Sequence, residues 1–329
     1  MRILIAGGAG YVGSALAPKL LERGYEVDAV DLLWFGNNLP SGVKVLEKDI
    51  MDLEPADVEG YDQVIFLAGL SNDPMADFAP GINFASNAAA PAFLAYLAKR
   101  AGVQRYIYGS TCSVYGYTVN ELYDETSPAI SAYAYGISKL QGERGCMQIQ
   151  DDDFSVIALR QGTICGYSPR MRLDLVVNTM TKTALTTGRI VVNNPAIWRP
   201  ILSIEDATAA YVRSVEANFD ISGIFNVASG NYTIGELGDY VKEVLDEELG
   251  HRVDLEIKNI QDLRNYKVSV DKAMRVLSFK PKHDVASIVR SLLAHREQFS
   301  DFDNPLYYNI ETFKTLQRAA GARLEKITA

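Results

Sequence analysis

A tyrosine and a lysine stand four positions apart in the middle of the chain, at Tyr135 and Lys139. On a helix this spacing places both side chains on one face. A phenol titrates at about pH 10, so it is a poor base at neutral pH, but an adjacent ammonium group lowers its pKa. The pair therefore predicts a general base that removes a proton from a substrate hydroxyl.

Hydroxyl side chains follow a buried segment upstream of this pair. Ser110, Thr111 and Ser113 come at the end of the apolar run that begins at Arg105. In an open parallel sheet, ligands bind at the carboxyl ends of the strands, so these hydroxyls are candidates for contacting a substrate oxygen. The alternative, that they only cap the turn after the strand, stays open at this point.

The N-terminal segment has the pattern of a phosphate-binding loop. An apolar run at 2–6 leads directly into Gly7-Gly8-Ala9-Gly10-Tyr11-Val12-Gly13, and a helix is predicted to follow. Glycines here allow a tight turn, close approach of the backbone to a pyrophosphate and close packing of helix on strand. The start of the helix then offers free N–H groups to the anion. The residues expected to contact a dinucleotide are Gly7, Gly10, Tyr11, Val12 and Gly13.

Asp31 ends the second predicted strand, about 20 residues after the glycine loop, as the dinucleotide-binding pattern requires. An acid at this place binds the hydroxyls of the adenosine ribose, and its charge repels a 2′-phosphate. The predicted cofactor is therefore NAD and not NADP. Asp49 and Ile50 are candidates for flanking the adenine, and Ala68 is a further candidate for contact with the cofactor.

The motifs lie on an alternation of strands and helices. Apolar runs typical of buried parallel strands occur at 2–6, 26–31, 63–68, 105–109 and 155–160. This pattern predicts an α/β fold with a Rossmann-type, doubly wound parallel sheet.

Two domains are predicted from where this alternation weakens. An NAD-binding Rossmann domain spans 1–166, and a strand–helix–strand pattern at 200–228 returns to it. A smaller, discontinuous C-terminal domain for the substrate comprises 167–199 and 229–329.

The composition limits the partners of the chain. Its net charge of −9 indicates a surface that repels nucleic acid. The sequence shows neither a signal peptide nor a long apolar run, so a cytoplasmic protein without membrane contact is expected. All three histidines lie in the last third, away from the motifs, so neither a histidine-based triad nor a metal site is predicted.

In their order and spacing, the glycine loop, Asp31, the segment 110–116 and the Tyr135–Lys139 pair resemble the extended short-chain dehydrogenase/reductase family. The resemblance covers nearly the whole chain. It implies an NAD-dependent enzyme of the nucleotide-sugar epimerase/dehydratase type. It further implies that Tyr135 is the base, that Lys139 assists it and holds the nicotinamide ribose, and that Thr111 is the helper hydroxyl.

The residues after Thr111 separate subclasses of this family. Sugar-nucleotide 4,6-dehydratases carry Asp-Glu there and related decarboxylases a Glu, whereas this chain has Cys112 and Ser113, which cannot replace carboxylates at neutral pH. The expected activity is that of a 4-epimerase with a transient 4-keto sugar, as in UDP-hexose 4-epimerases. The alternative is a 4-dehydrogenase or 4-keto reductase with net turnover of NAD, since 168–178 resembles nucleotide-heptose 4-dehydrogenases.

The resemblance also implies contacts with a nucleotide-diphosphate sugar. Arginine suits its diphosphate because a guanidinium binds phosphate in bidentate fashion, and Arg199 and Arg264 are the candidates. Asn178 is expected to bind a phosphate or the base. Arg170 and Arg172 are weaker candidates, because arginines one residue apart often flank a solvated loop.

A homodimer is expected, as is common in the family. The segment 83–101 is apolar almost all round, which indicates burial on two sides. We expect it to pair, together with the helix predicted at 133–150, with the same elements of a second copy.

Overall fold

The computed structural model describes residues 1–259 and 264–328, with side chains except at Val119 and 319–328. Its strands, in chain order, are β1 (Arg2–Ala6), β2 (Glu26–Asp31), β3 (Lys44–Glu47), β4 (Gln63–Phe66), β5 (Arg105–Thr111), β6 (Tyr117–Tyr123), β7 (Ser155–Gln161), β8 (Thr163–Cys165), β9 (Arg189–Asn193), β10 (Trp198–Ser203), β11 (Gly223–Val227), β12 (Gly230–Thr233), β13 (Asp254–Lys258) and β14 (Asn265–Val268). Its α-helices are α1 (Tyr11–Leu21), α2 (Pro55–Val58), α3 (Asp73–Phe78), α4 (Pro80–Phe84), α5 (Ala90–Arg100), α6 (Ala134–Ile149), α7 (Val176–Thr187), α8 (Ile204–Glu216), α9 (Ile234–Leu249), α10 (Asp271–Val276), α11 (Val285–Ala294) and α12 (Asn309–Thr328).

A parallel sheet of seven strands forms the centre, in the order β11-β7-β5-β4-β1-β2-β3. The predicted Rossmann-type fold is confirmed, and all five predicted strands belong to this sheet. Strand β3 was not predicted, because its ends Lys44 and Glu47 are exposed and it lacks a continuous apolar run. Alternate residues of β1 show why both faces are covered: Ile3 and Ile5 pack against α1 and α8, and Leu4 packs with α5 on the other side.

The C-terminal part adds small sheets and a separate core. Strands β12-β10-β8, β13-β9 and β14-β6 form these sheets, and α7, α9 and α11 pack together beside them. Within the segment 200–228, α8 and β11 return to the central sheet, but β10 does not. Strand β10 pairs instead with β8 and β12, since β7 already has β5 on one edge and β11 on the other.

The helix expected at 83–101 is interrupted. Helix α4 passes into a π-helical turn at Ala85–Ala89 before α5 begins. Asn87 in this turn donates hydrogen bonds to the Leu70 carbonyl at 2.8 Å and to Asn83 Oδ1 at 2.8 Å, so the irregularity ties the helix to the loop after β4. Tyr96 of α5 is half-exposed. The homodimer stays a prediction.

Within the residues described, no helix is long and apolar enough to cross a membrane.

Candidate active site

A cleft of about 590 Å³ opens at the carboxyl ends of the central strands. Its walls bring together most of the predicted site residues: Gly7, Gly10, Tyr11, Val12, Ala68, Thr111, Tyr135, Lys139, Arg199 and Arg264. Five predicted residues do not line it: Gly13, Asp31, Asp49, Ile50 and Asn178.

The glycine loop has the shape that a pyrophosphate needs. Gly7 has a φ of +79°, and a Cβ built on it would lie 2.5 Å from the Ala68 backbone nitrogen, so a larger residue would not fit. A Cβ on Gly13 would collide with the carbonyl of Gly8, so Gly13 sets the packing of the loop and does not face the cleft. Helix α1 begins at Tyr11, and its first-turn N–H groups have no partner within the helix. The loop therefore fits the diphosphate of NAD.

Asp31 holds this loop from the side. Its carboxylate accepts hydrogen bonds from Ala9 N at 3.0 Å and from Leu33 N at 2.8 Å. Burial raises the pKa of Asp31, and the backbone hydrogen bonds from Leu33 and Ala9 oppose that shift. Asp31 therefore ties the end of β2 to the glycine loop.

Asp49 and Ile50 are engaged elsewhere. The Asp49 carboxylate caps a short turn by accepting from Met51 N at 2.9 Å, and Ile50 is packed in the hydrophobic core. Neither residue lines the cleft, and their contact with the adenine stays a prediction.

The start of α6 fixes the position of Tyr135. Asn83 donates a hydrogen bond to the carbonyl of Ala134 at 3.2 Å, and its Oδ1 accepts from Ser138 Oγ at 3.3 Å.

Thr111 at the end of β5 caps its own turn, accepting from Ser113 N at 3.2 Å, and also lines the cleft. The capping interpretation of this hydroxyl is therefore confirmed, and its contact with a substrate oxygen stays a prediction.

Burial and nearby groups shift the pKa of Tyr135. Burial raises it above its ordinary value and the charge of Asp73 adds to the shift, whereas a hydrogen bond with Thr111 and the charge of Arg172 lower it. The groups that shift this pKa most do not include Lys139, so the lowering of the Tyr135 pKa by Lys139 stays a prediction. Lys139 Nζ donates to the carbonyl of Gly109 at 2.5 Å.

Lys139 is itself an unusual lysine. It is 5% exposed, and burial lowers its pKa from 10.5 to about 7. Its ammonium lies 4.3 Å from the centre of the Tyr108 ring. Its charge therefore changes near neutral pH, unlike that of a surface lysine.

This shift predicts a pH-dependent stability. Between about pH 7 and 10.5 the unfolded chain binds a proton at Lys139 that the folded protein releases, so this residue's contribution to stability rises with pH. We expect Lys139→Met to be more stabilising at pH 7 than at pH 10, as measured by urea unfolding at unit steps of pH. A difference from the wild type that does not change with pH would contradict the lowered pKa.

The two predicted substrate arginines, Arg199 and Arg264, both line the cleft. Arg264 Nη1 forms an ion pair with Asp73 Oδ2 at 2.6 Å. Arg199 Nη1 donates to the carbonyl of Trp198 at 2.9 Å and to the carbonyl of Arg264. These contacts join β10 to the segment before β14. Asp262 and Leu263, in the motif around Arg264, lie outside the described residues.

Asn178 has a different role from the predicted one. Asn178 is buried. Its Oδ1 accepts a hydrogen bond from Gly166 N at 2.9 Å, and its Nδ2 donates one to the Arg172 carbonyl at 2.7 Å. Because the amide is engaged by the backbone, Asn178 fixes the loop after β8 and does not face the cleft.

The same loop brings Arg170 and Arg172 into the cleft. These two arginines were predicted only as weaker candidates, because such pairs often flank a solvated loop. Arg170 and Arg172 are 4% and 6% exposed. Arg172 binds Asp174 in bidentate fashion at 2.8 and 2.9 Å, and it donates to Ser71 Oγ at 2.8 Å. The local sequence carries no signal of this burial, because arginines that alternate with Met171 and Leu173 are typical of a segment with one buried and one exposed face, and here both are buried.

A buried ionic network supports the cleft from behind. Glu143 of α6 accepts from Arg160 Nη2 at 2.6 Å, from Arg160 Nε at 2.9 Å and from Ser110 Oγ at 2.6 Å. Arg160 Nη1 also donates to the Tyr115 hydroxyl at 2.8 Å. The network links α6, β5 and β7 directly beneath the residues that line the cleft.

Cys112 points into this interior region. Its thiol donates to the Arg160 carbonyl at 3.1 Å, the side chain is buried, and burial raises its pKa. Ser113, in contrast, lines the cleft.

Known proteins are similar to this chain in sequence and in fold. The model of the NAD dependent epimerase/dehydratase family matches residues 3–228. A UDP-glucose 4-epimerase of Corynebacterium glutamicum is 25% identical over 324 residues, covering 92% of this chain and 97% of that protein. UDP-glucuronic acid decarboxylase 6 of Arabidopsis thaliana is 28% identical over 308 residues, covering 86% and 84%.

Two solved structures are similar in fold. The UDP-glucuronic acid 4-epimerase of Bacillus cereus, in complex with UDP-glucuronic acid and NAD, has a TM-score of 0.79 and 22% identity, covering 91% of this chain and 100% of that one. An NAD-dependent NDP-hexosamine 5,6-dehydratase of tunicamycin biosynthesis has a TM-score of 0.80 and 24% identity, covering 92% and 99%. The same fold thus serves an epimerase and a dehydratase.

The cleft, the glycine loop and the Tyr–Lys pair define an NAD-dependent enzyme of the extended short-chain dehydrogenase/reductase type. The chain belongs to the NAD dependent epimerase/dehydratase family, as its sequence predicts.

Proposed function

We propose that the protein is a nucleotide-sugar 4-epimerase that acts through a transient 4-keto sugar. The proposal rests on one feature of the cleft. Among the described residues, the only carboxylates that line it are Asp73 and Asp174, and each is paired with an arginine. Elimination of water requires an acid and a base besides the tyrosine, whereas epimerisation requires only one group that takes and returns a proton.

The chain's own groups would act as follows. Tyr135 takes the proton from the sugar 4-hydroxyl, and Thr111 hydrogen-bonds to the same oxygen. Bound NAD would accept the hydride from C4 and return it to the other face of the ketone, and the positive charge of its ring would offset the desolvation that raises the pKa of Tyr135. After the ketone has turned in the cleft, Tyr135 returns the proton to the oxygen.

The diphosphate of the substrate would lie against Arg199 and Arg264. Both guanidinium groups line the cleft beside aromatic rings, with Arg199 5.7 Å from the centre of Tyr266 and Arg264 5.9 Å from that of Tyr133. The relatives named above that act on UDP-linked sugars make UDP-hexoses and UDP-hexuronic acids the first substrates to test.

A panel of nucleotide sugars tests the proposal. Each sugar is incubated with the protein and NAD, NADH is followed by absorbance, and the product is identified by NMR. Inversion at C4 without net NADH is the expected result. Stoichiometric formation or consumption of NADH would replace the epimerase by a 4-dehydrogenase or 4-keto reductase. Loss of water or carbon dioxide would contradict the proposal outright.

A further inference from the structure

We infer that Arg170 is a cofactor-binding residue, which supplies the positive charge for the diphosphate of NAD. Arg170 lies on the loop after β8, outside the glycine motif, and it lines the same cleft as Gly10 and Tyr11. This inference concerns the cofactor and stands whichever sugar reaction the enzyme performs.

The backbone of Arg170 is fixed over the start of α1. Its N–H donates to Ser14 Oγ at 3.2 Å, and the Ser14 hydroxyl also lies 2.9 Å from Ser168 Oγ. Ser14 is in the first turn of α1, directly after the glycine loop. The residue therefore sits at the helix terminus where a phosphate is expected to bind.

The guanidinium of Arg170 is held in one orientation. It lies 3.7 Å from the centre of the Phe35 ring, on the loop that follows β2 and Asp31. On its other side, Nη2 donates to Asn309 Oδ1 at 2.5 Å, and Asn309 Nδ2 donates in turn to Ser71 Oγ at 2.8 Å. These contacts place a planar cation between the loops that follow β2 and β4, on the adenosine side of the cleft.

This cation is buried without a counter-ion. Arg170 is 4% exposed, and its Nε, which is inaccessible to solvent, has no hydrogen-bond partner. Asp31 and Asp174 act on it at longer range, but among the described residues no carboxylate oxygen lies within 4.0 Å of its guanidinium. Burial, and then the charge of Arg172, lower its pKa to about 9.

A buried, unpaired cation is costly, so its presence in a cleft indicates an anionic ligand. Each of the other cations of the cleft, Arg199 included, already has a carboxylate or a backbone carbonyl as a partner within the protein. Arg172 is paired with Asp174 and Arg264 with Asp73, while Lys139 donates to a backbone carbonyl. A pyrophosphate on the glycine loop would give Arg170 the charge-assisted hydrogen bonds that the protein does not.

The test compares a ligand that has the diphosphate with one that lacks it. The full chain is first freed of bound nucleotide. ADP-ribose binding is then measured by calorimetry, and adenosine binding by ligand-observed NMR. We expect Arg170→Gln to weaken ADP-ribose binding about 10- to 100-fold, with adenosine affinity unchanged. Arg170→Lys keeps the charge but loses the planar guanidinium that binds phosphate in bidentate fashion, so its ADP-ribose affinity should lie between those of the wild type and Arg170→Gln. Arg290→Gln on the exposed face of α11 is the matched control and should bind as the wild type does.

Two outcomes would overturn the inference. One is unchanged ADP-ribose binding in Arg170→Gln, with or without a lower unfolding temperature, because the arginine would then serve the fold alone. The other is an equal loss for ADP-ribose and adenosine, because Arg170 would then act on the adenosine or its loop. If Arg170→Gln does not fold, the affinities of Arg170→Lys for ADP-ribose and for adenosine, each divided by that of the wild type, decide between these outcomes.

Discussion

Replacement of Tyr135 by Phe is expected to lower the turnover of the enzyme by about 10³-fold while the affinity for ADP-ribose stays unchanged. The substitution removes one oxygen, the group proposed to take and return the proton at the sugar 4-hydroxyl. The ring remains in its half-buried site at the start of α6, so the fold and the glycine loop are preserved. Turnover is measured on the substrate identified by the nucleotide-sugar panel, and ADP-ribose affinity by calorimetry.

Tyr106 provides a control of the same chemistry. It is fully buried in β5, and its hydroxyl donates to the carbonyl of Pro91 at 2.9 Å, away from the cleft. Tyr106→Phe removes the same atom from a tyrosine outside the cleft and should leave turnover unchanged. Comparable losses in both variants would show that the effect of Tyr135→Phe is structural, and activity retained by Tyr135→Phe would exclude the phenol as the base.

The second large effect concerns stability. Replacement of Glu143 by Gln leaves Arg160 charged and unpaired in the interior, and it should lower the free energy of unfolding by about 3–5 kcal/mol. The side chains of Arg160 and Glu143 are only 4% and 0% exposed, so water cannot compensate for the lost partner. Urea unfolding followed by circular dichroism measures the change.

A double variant separates two contributions to the free energy of unfolding: the cost of leaving Arg160 without its partner, and the net stabilisation by the ion pair. Glu143→Met with Arg160→Met removes both charges and should recover much of the loss, because apolar residues of similar volume often replace a buried ion pair at little cost. Arg290→Gln, which breaks an exposed pair, should leave the unfolding midpoint unchanged. A double variant as unstable as Glu143→Gln would show that the pair itself stabilises the sheet.

Local patterns in the sequence account for the predicted residues that the structure brings together in the cleft. The strand before Gly7, the glycines and the four-residue spacing of Tyr135 and Lys139 are all encoded within short segments. The sequence therefore predicts the Rossmann-type sheet and the side of the cleft that binds the dinucleotide. The contact of Asp31 with the ribose stays a prediction, and the structure adds that Asp31 holds the loop through Ala9.

The remainder of the site depends on contacts between distant segments. Arg170 becomes a buried cation only because Phe35, Ser14 and Asn309 come from three other parts of the chain. Asn178 is polar and close to a motif, but the turn at Gly166 uses its amide. The pKa of Tyr135 cannot be obtained from Lys139 alone, because burial by the whole fold decides its direction.

The most direct test of the proposed reaction uses a nucleotide sugar with deuterium at C4. The account predicts that the C4-epimeric product retains the deuterium at C4 and that unlabelled NADH added in excess does not dilute it, because the hydride leaves and returns within one active site. Mass spectrometry and NMR of the product measure this retention. Loss of the label to the NAD pool, or a stable 4-keto product, would contradict the account.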